Sequence, residues 1–295
     1  MRERLVYLRD VSYRYPDSET QTLQDINFDG YRDEIVLLIG PSGCGKSTLA
    51  RIFNGLIPNF YGGQLQGEID IAGYDPRKTP TAKFAKTVGF VFQNPENQLF
   101  FNSVERELAF GLENLGVPPA EIRKKIDEVL REYGIEELRQ RSPFELSSGQ
   151  QQKVALASVM IMEPQILILD EPTANLDPLS ALKMIGLIAK KTREHRMLTI
   201  LIEHRLEIAL QFATRVVVMN EGQIIADGPP LETVLKTDYI VGAPPMVQLS
   251  KKLQSSGFPV NIDRLVPEAM ALEVIRKLSK GGLDERKRRE DNRDR

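Results

Sequence analysis

Nine consecutive residues, Gly40-Pro41-Ser42-Gly43-Cys44-Gly45-Lys46-Ser47-Thr48, carry the side chains and spacing needed to hold phosphate. They match the pattern GxxxxGK[ST]. Its glycines let backbone N–H groups curl around phosphate oxygens without Cβ clashes. The apolar run Ile35–Ile39 precedes it and a helical pattern, Thr48–Phe53, follows. A helix N-terminus would then add positive potential at the loop. Lys46 offers a mobile cation for β- and γ-phosphates, and the Ser47 hydroxyl can ligate Mg²⁺. Cys44 reads as a small loop residue; only its place near a helix start argues for a more acidic thiol.

A second set of residues could handle a metal ion and water. The apolar run Ile166–Leu169 ends in Asp170-Glu171. Carboxylates at the carboxyl end of a parallel strand stand where open α/β sheets bind ligands. Asp170 can hold Mg²⁺, and Glu171 can polarise a water in line with the γ-phosphate. A third run, Glu145-Leu146-Ser147-Ser148-Gly149-Gln150, precedes the helix Gln151–Met162. Ser147 suits an N-cap, and Gly149 permits close approach of phosphate.

These residues need elements to position them. Short β-branched and aliphatic runs recur at Leu5–Val11, Ile35–Ile39, Val88–Phe92, Ile166–Leu169, Leu198–Ile202, Val216–Met219 and Gln223–Ala226. Continuously apolar runs of this length fit strands buried on both faces of a mostly parallel sheet, an α/β fold. The last two flank Asn220-Glu221-Gly222 and read as a hairpin. From about residue 102 to 162 strand signals stop, and helical spacing marks Val104–Leu115, Ala120–Tyr133 and Gly149–Met162. Pro118-Pro119 is placed to start the second of these helices. After Pro244-Pro245 come two amphipathic patterns, Met246–Ser255 and Glu268–Leu278. The charged run Gly281–Arg295 reads as a solvated, disordered tail.

Composition removes several classes. The 295 residues have 41% hydrophobic and 27% charged content, which is globular rather than disordered. A net charge of −2 gives no basic field for nucleic acid. The lone cysteine excludes an internal disulfide and, with no secretory signal at the start, fits a reducing cytosol. No run approaches the ~20 apolar residues that span a bilayer, so a membrane role would need a partner.

The order of these motifs resembles ABC-transporter ATPases, whose signature reads LSGGQ, over roughly residues 1–240. The resemblance implies a P-loop NTPase (RecA-like) core with a β-subdomain, the helical insert at about 102–162, and a small C-terminal extension at 241–280. Tyr15, in Tyr13-Arg14-Tyr15-Pro16, looks like the aromatic that stacks on adenine, with Tyr13 as the alternative. Gln93 looks like the Q-loop glutamine that touches Mg²⁺ and faces the membrane partner. Ala174-Asn175-Leu176-Asp177 looks like the D-loop, and His204 like the switch histidine at the γ-phosphate. Ser148 departs from the family, which has glycine there.

Within that family, Phe92-Gln93-Asn94-Pro95-Glu96-Asn97-Gln98-Leu99-Phe100 resembles the energy-coupling-factor ATPases, importers of vitamins and of cobalt or nickel ions. Phe110–Asn114, Ile202–Leu206 and the extension at 241–280 look like that group too. In the group the extension helps pair two ATPases; here it could equally be a packing appendage. The resemblance implies a head-to-tail pair, the second subunit a copy or a paralogue. Lys46, Ser47 and Glu171 of one subunit would meet Ser147, Gly149 and Gln150 of the other across ATP and Mg²⁺. It also implies a transmembrane scaffold subunit, a substrate-binding membrane protein, and a peripheral place on the cytoplasmic face of the membrane. If the second subunit is a paralogue, Ser148 could mark a weaker composite site. Competing readings are an ABC ATPase outside transport, a P-loop kinase or GTPase, and an inactive scaffold. The chain shows neither tandem cassettes nor long heptads, and it retains Ser147–Gln150, Glu171 and His204.

Overall fold

All six apolar runs from Ile35 onward assemble into one sheet of a computed structural model that describes residues 2–242 and 244–255. In chain order the first elements are β1 (Arg4–Arg14), β2 (Leu23–Tyr31), β3 (Ile35–Ile39), α1 (Lys46–Phe53) and the short α2 (Leu56–Asn59). Then come β4 (Gln64–Ile71), the short α3 (Thr81–Phe84), β5 (Val88–Val91), α4 (Val104–Asn114), α5 (Pro119–Tyr133) and α6 (Ser148–Met160). The remainder is β6 (Ile166–Asp170), α7 (Pro178–Glu194), β7 (Leu198–Ile202), the short α8 (Leu206–Ala209), β8 (Arg215–Asn220), β9 (Gln223–Gly228), α9 (Pro230–Val241) and α10 (Pro245–Ser255).

The large sheet has the order β5-β6-β7-β3-β8-β9. Its first five strands run parallel, and β9 closes the edge antiparallel through the hairpin expected at Asn220–Gly222. Every residue of β3 and β7 is buried. That follows from covering both faces; the polar residue Thr199 of β7 is satisfied there by the Thr192 hydroxyl at 2.6 Å. The period of two divides the same strands between two cores. Leu37, Ile39, Leu167, Leu169 and Leu201 pack with α4–α7. Val36, Leu38, Ile166, Ile168, Ile200 and Ile202 pack with β1, β2, β4 and α1. Each such side chain contributes roughly 1.5–3 kcal/mol by leaving water.

The second sheet is antiparallel, in the order β2-β1-β4. Of its strands, sequence periodicity marks only the first. β2 and β4 alternate buried and wet positions, as in Leu65, Ile69 and Ile71 against Gln66, Glu68 and Asp70, so no apolar run announces them. Helices α4, α5 and α6 occupy the stretch expected to be helical. α5 starts at Pro119, where a missing N–H costs nothing, and α4 is capped by Ser103. α7 and α9 are additional to the expected helices. The pattern Glu268–Leu278 and the tail 281–295 lie outside the described residues. Among the described residues no helix is long and apolar enough to cross a membrane.

Register sets where the chemistry emerges. Leu38 and Asp170 both pair with Ile202, so β3, β6 and β7 end at one edge of the sheet. Gly40, Glu171 and His204 all leave the sheet there.

Candidate active site

The phosphate loop requires glycine where the chain crowds itself. At Gly40 the backbone has φ +152°, and a Cβ would stand 2.1 Å from the Met219 carbonyl oxygen. At Gly45 φ is +107°, and a Cβ would meet Leu23 Cδ2 at 2.8 Å. Lys46 is buried, and its ammonium donates to the carbonyls of Gly40 at 2.8 Å and Pro41 at 2.9 Å. Cys44 is buried beneath the loop, with its Sγ 3.9 Å from Lys46 Nζ. Filling that space is the small-residue role its position suggested.

The two candidate tyrosines separate by burial. Tyr13 is 1% exposed, its hydroxyl donates to the Gly62 carbonyl at 3.0 Å, and burial pushes its phenol up to about 12. Tyr15 is half-buried at the rim of the loop, with its hydroxyl 3.2 Å from the Thr48 hydroxyl and accepting from Arg51 at 3.1 Å.

Glu171 adopts φ +50°, a left-handed conformation that non-glycine residues rarely hold. The bond from its N–H to the Ile202 carbonyl at 2.9 Å fixes this turn. Its carboxylate is gripped from two sides. Gln93 Nε2 donates to Oε2 at 2.7 Å, and His204 Nε2 lies 2.9 Å from Oε1. Ser42, Gly43, Gly45, Lys46, Ser47, Thr48, Glu171 and His204 line one open cleft of about 210 Å³. Beside it, burial pushes the Asp170 carboxyl above the usual aspartate value; a Ser47 hydrogen bond opposes this, Glu171 adds to it, and Arg51 and Lys46 oppose it. A serine hydroxyl, a carboxylate and a carboxamide, from Ser47, Asp170 and Gln93, make an all-oxygen set that fits Mg²⁺.

The raised Asp170 gives a signed expectation. The folded chain binds this proton more tightly than the unfolded chain, so stability falls as pH rises from the ordinary aspartate value through the raised one. Above that window the ionised, buried carboxylate is a cost. Asp170→Asn is therefore expected to raise the melting temperature at pH 7 in metal-free buffer. It should also abolish any stabilisation by Mg²⁺ in the presence of nucleotide. Scanning fluorimetry with an extrinsic dye, since the chain has no tryptophan, checks both.

Ser147, Gly149 and Gln150 do not line this cleft. They border a second one of about 470 Å³, with Lys153, Leu176 and Ser180 among its walls. Ser147 and Gln150 form a reciprocal cap at the start of α6: Ser147 Oγ accepts the Gln150 N–H, and Gln150 Oε1 accepts the Ser147 N–H at 3.1 Å. A Cβ at Gly149 would touch only Leu176 Cδ2, at an ordinary 3.7 Å. Nothing in the described chain therefore calls for glycine there. The Ser148 hydroxyl donates to the Asn175 carbonyl at 3.3 Å, a bond that glycine could not make. Asp177 caps α7, accepting from Leu179 and Ser180 N–H at 3.0 Å each.

Glu203 is the residue that sequence reasoning left without a role. It is 3% exposed, and its carboxylate accepts from the Thr173 N–H and hydroxyl and from the N–H groups of His204 and Arg205. It thereby ties the turn after Glu171 to the loop carrying His204. An acid between an apolar strand and a histidine was the available signal, but it reads equally as a wet strand end.

A family model described as ABC transporter matches residues 23–174. The energy-coupling factor transporter ATP-binding protein EcfA of Methanothermobacter thermautotrophicus is 40% identical over 271 residues, 90% of this chain and 85% of that protein. A Methanosarcina mazei protein, assigned by inference to ABC transporter ATP-binding proteins, is 44% identical over 234 residues, or 79% of this chain. The chain covers 40% of that relative's length, and 38% and 36% of two from Methanosarcina acetivorans. Among solved structures, cbiO1 from Clostridium perfringens, part of the ABC transporter complex cbiONQ, superposes with a TM-score of 0.73 at 33% identity. That match covers 86% of this chain and 98% of the other.

Proposed function

This chain belongs to the ABC transporter family, and we propose that it is the ATP-hydrolysing subunit of an importer of the energy-coupling-factor type, powering uptake of a vitamin or transition-metal ion through a partner membrane complex. The observation that carries the reading is the division of the motifs. Lys46, Ser47, Asp170, Glu171 and His204 converge at one sheet edge, while Ser147–Gln150 sit on a separate surface with a glycine that the described chain does not need. A head-to-tail pair joins the two surfaces, making two equivalent composite sites.

In that site Tyr15 stacks on adenine. N–H groups of residues 40–48 and the Lys46 ammonium hold the phosphates. Ser47, Asp170 and Gln93 would hold Mg²⁺, which would supply charge neutralisation to the triphosphate. Glu171 orients water and accepts its proton as the new P–O bond forms and the bond to the departing ADP oxygen breaks. Gln93 and His204 hold the Glu171 carboxylate in place. His204 then serves the γ-phosphate, and Ser147 and Gly149 of the partner donate to it. Asp177 places the neighbouring loop by capping α7. Because the γ-phosphate bridges both subunits, hydrolysis weakens the closed pair, a population shift by differential binding.

Exposed aromatics support a membrane-scaffold partner near Gln93. Phe92 and Phe100 are 42% and 58% exposed, and Phe100 packs on Phe101 and Phe110. The EcfA and cbiO1 relatives support the importer type. Purification from the source cell under mild detergent tests the reading. Copurifying integral membrane proteins with Mg-ATP turnover are the expected result. Turnover in a fraction free of membrane proteins would favour an ABC ATPase outside transport.

A further inference from the structure

The side chain of Gln98 holds the segment that delivers Gln93. Gln98 follows the 3₁₀ turn Pro95–Asn97 and is half-buried. Its Oε1 accepts the N–H of Phe92 at 3.2 Å, and its Nε2 donates to the carbonyl of Ala155 at 3.1 Å. Phe92 immediately precedes Gln93, whose carboxamide grips Glu171. Ala155 lies in α6, the helix whose first turn carries Ser147–Gln150. A carboxamide presents an acceptor to one partner and a donor to the other on a single planar group.

We propose that Gln98 is a positioning residue that sets the orientation of Gln93, and through it Glu171, according to the placement of α6. This rests on the reading of Glu171 as the water-orienting base. Movement of α6 reaches Phe92 through two hydrogen bonds to one planar carboxamide. A weaker parallel route runs from the Ser148 hydroxyl to the Asn175 carbonyl, then from Asn175 Nδ2 to Asn94 Oδ1 at 3.3 Å. Helix α6 is thus connected twice to the same loop, at Ala155 and at Ser148. A signature engaged by the partner's nucleotide would report to the water-orienting carboxylate by this path.

The test compares wild type, Gln98→Met and Gln98→Glu in the full chain, within its copurifying complex. Methionine removes both bonds; glutamate keeps the acceptor for Phe92 and loses the donor to Ala155. Gln98→Met should lower kcat about fivefold or more, with affinity for a fluorescent ATP analogue within about twofold. Exchange of the Phe92 amide should quicken about tenfold in Gln98→Met and stay slow in Gln98→Glu. Both variants should lose similar kcat. Wild-type kcat in Gln98→Glu would overturn the link to α6. An unchanged kcat or unchanged Phe92 exchange in Gln98→Met would overturn the inference. So would parallel loss of ATP affinity and melting temperature, which would make Gln98 a simple loop staple. Absence of turnover in wild type would instead overturn the proposed function, and this inference with it.

Discussion

Glu171→Gln is expected to lower ATP turnover by about a hundredfold or more, with ATP affinity within about threefold. The amide keeps the size of the carboxylate and cannot accept a proton from water. Removing that step costs on the order of 3 kcal/mol or more of barrier. Lys46, Ser47 and Asp170 are untouched, so binding survives. The variant should also accumulate as a pair of subunits in Mg-ATP, because the γ-phosphate that bridges the surfaces is no longer removed. Steady-state hydrolysis and light-scattering mass are the two readouts. Substantial residual turnover would move the base role to another group at the sheet edge.

Gly149→Ala has the second large expected effect, and its direction on stability sharpens it. A Cβ there meets Leu176 at van der Waals distance and nothing else, so the fold has room for it. Alanine is also the better residue in a helix by roughly 0.5–1 kcal/mol. The variant should melt at or above the wild-type temperature and bind ATP normally. Turnover should nevertheless fall about fiftyfold or more, because a methyl group would displace the partner's phosphate from its donors. A residue that inactivates while stabilising marks a surface kept for an approaching ligand.

Legibility in the sequence followed burial. β3 and β7 were read with their observed ends because both faces are covered, which leaves a run of five buried residues in each. β2 and β4 were missed because one face is wet and their apolar residues are diluted. α7 was hidden by Leu179 and Leu182, which are 60% and 37% exposed and blur the stripe of Ala181, Met184, Ile185 and Ile188. The site was readable wherever chemistry demands a fixed local order, as in residues 40–48 and Asp170-Glu171. Spacing could not choose between Tyr13 and Tyr15; burial separates them, with Tyr13 inside β1 and Tyr15 just beyond its end. Glu203, Gln98 and the Ser148–Asn175 bond act through partners distant in the chain, and one-dimensional spacing does not encode those contacts.

The composite site is tested most directly by mixing two inactive variants, Lys46→Ala and Gly149→Ala. A head-to-tail pair containing one of each has one intact site, with Lys46 and Glu171 from the second variant and the signature from the first. Equal mixing should restore turnover to about a quarter of wild type, since half the pairs are mixed and each carries one working site of two. A mixture no more active than the average of the two variants would contradict a site shared between subunits.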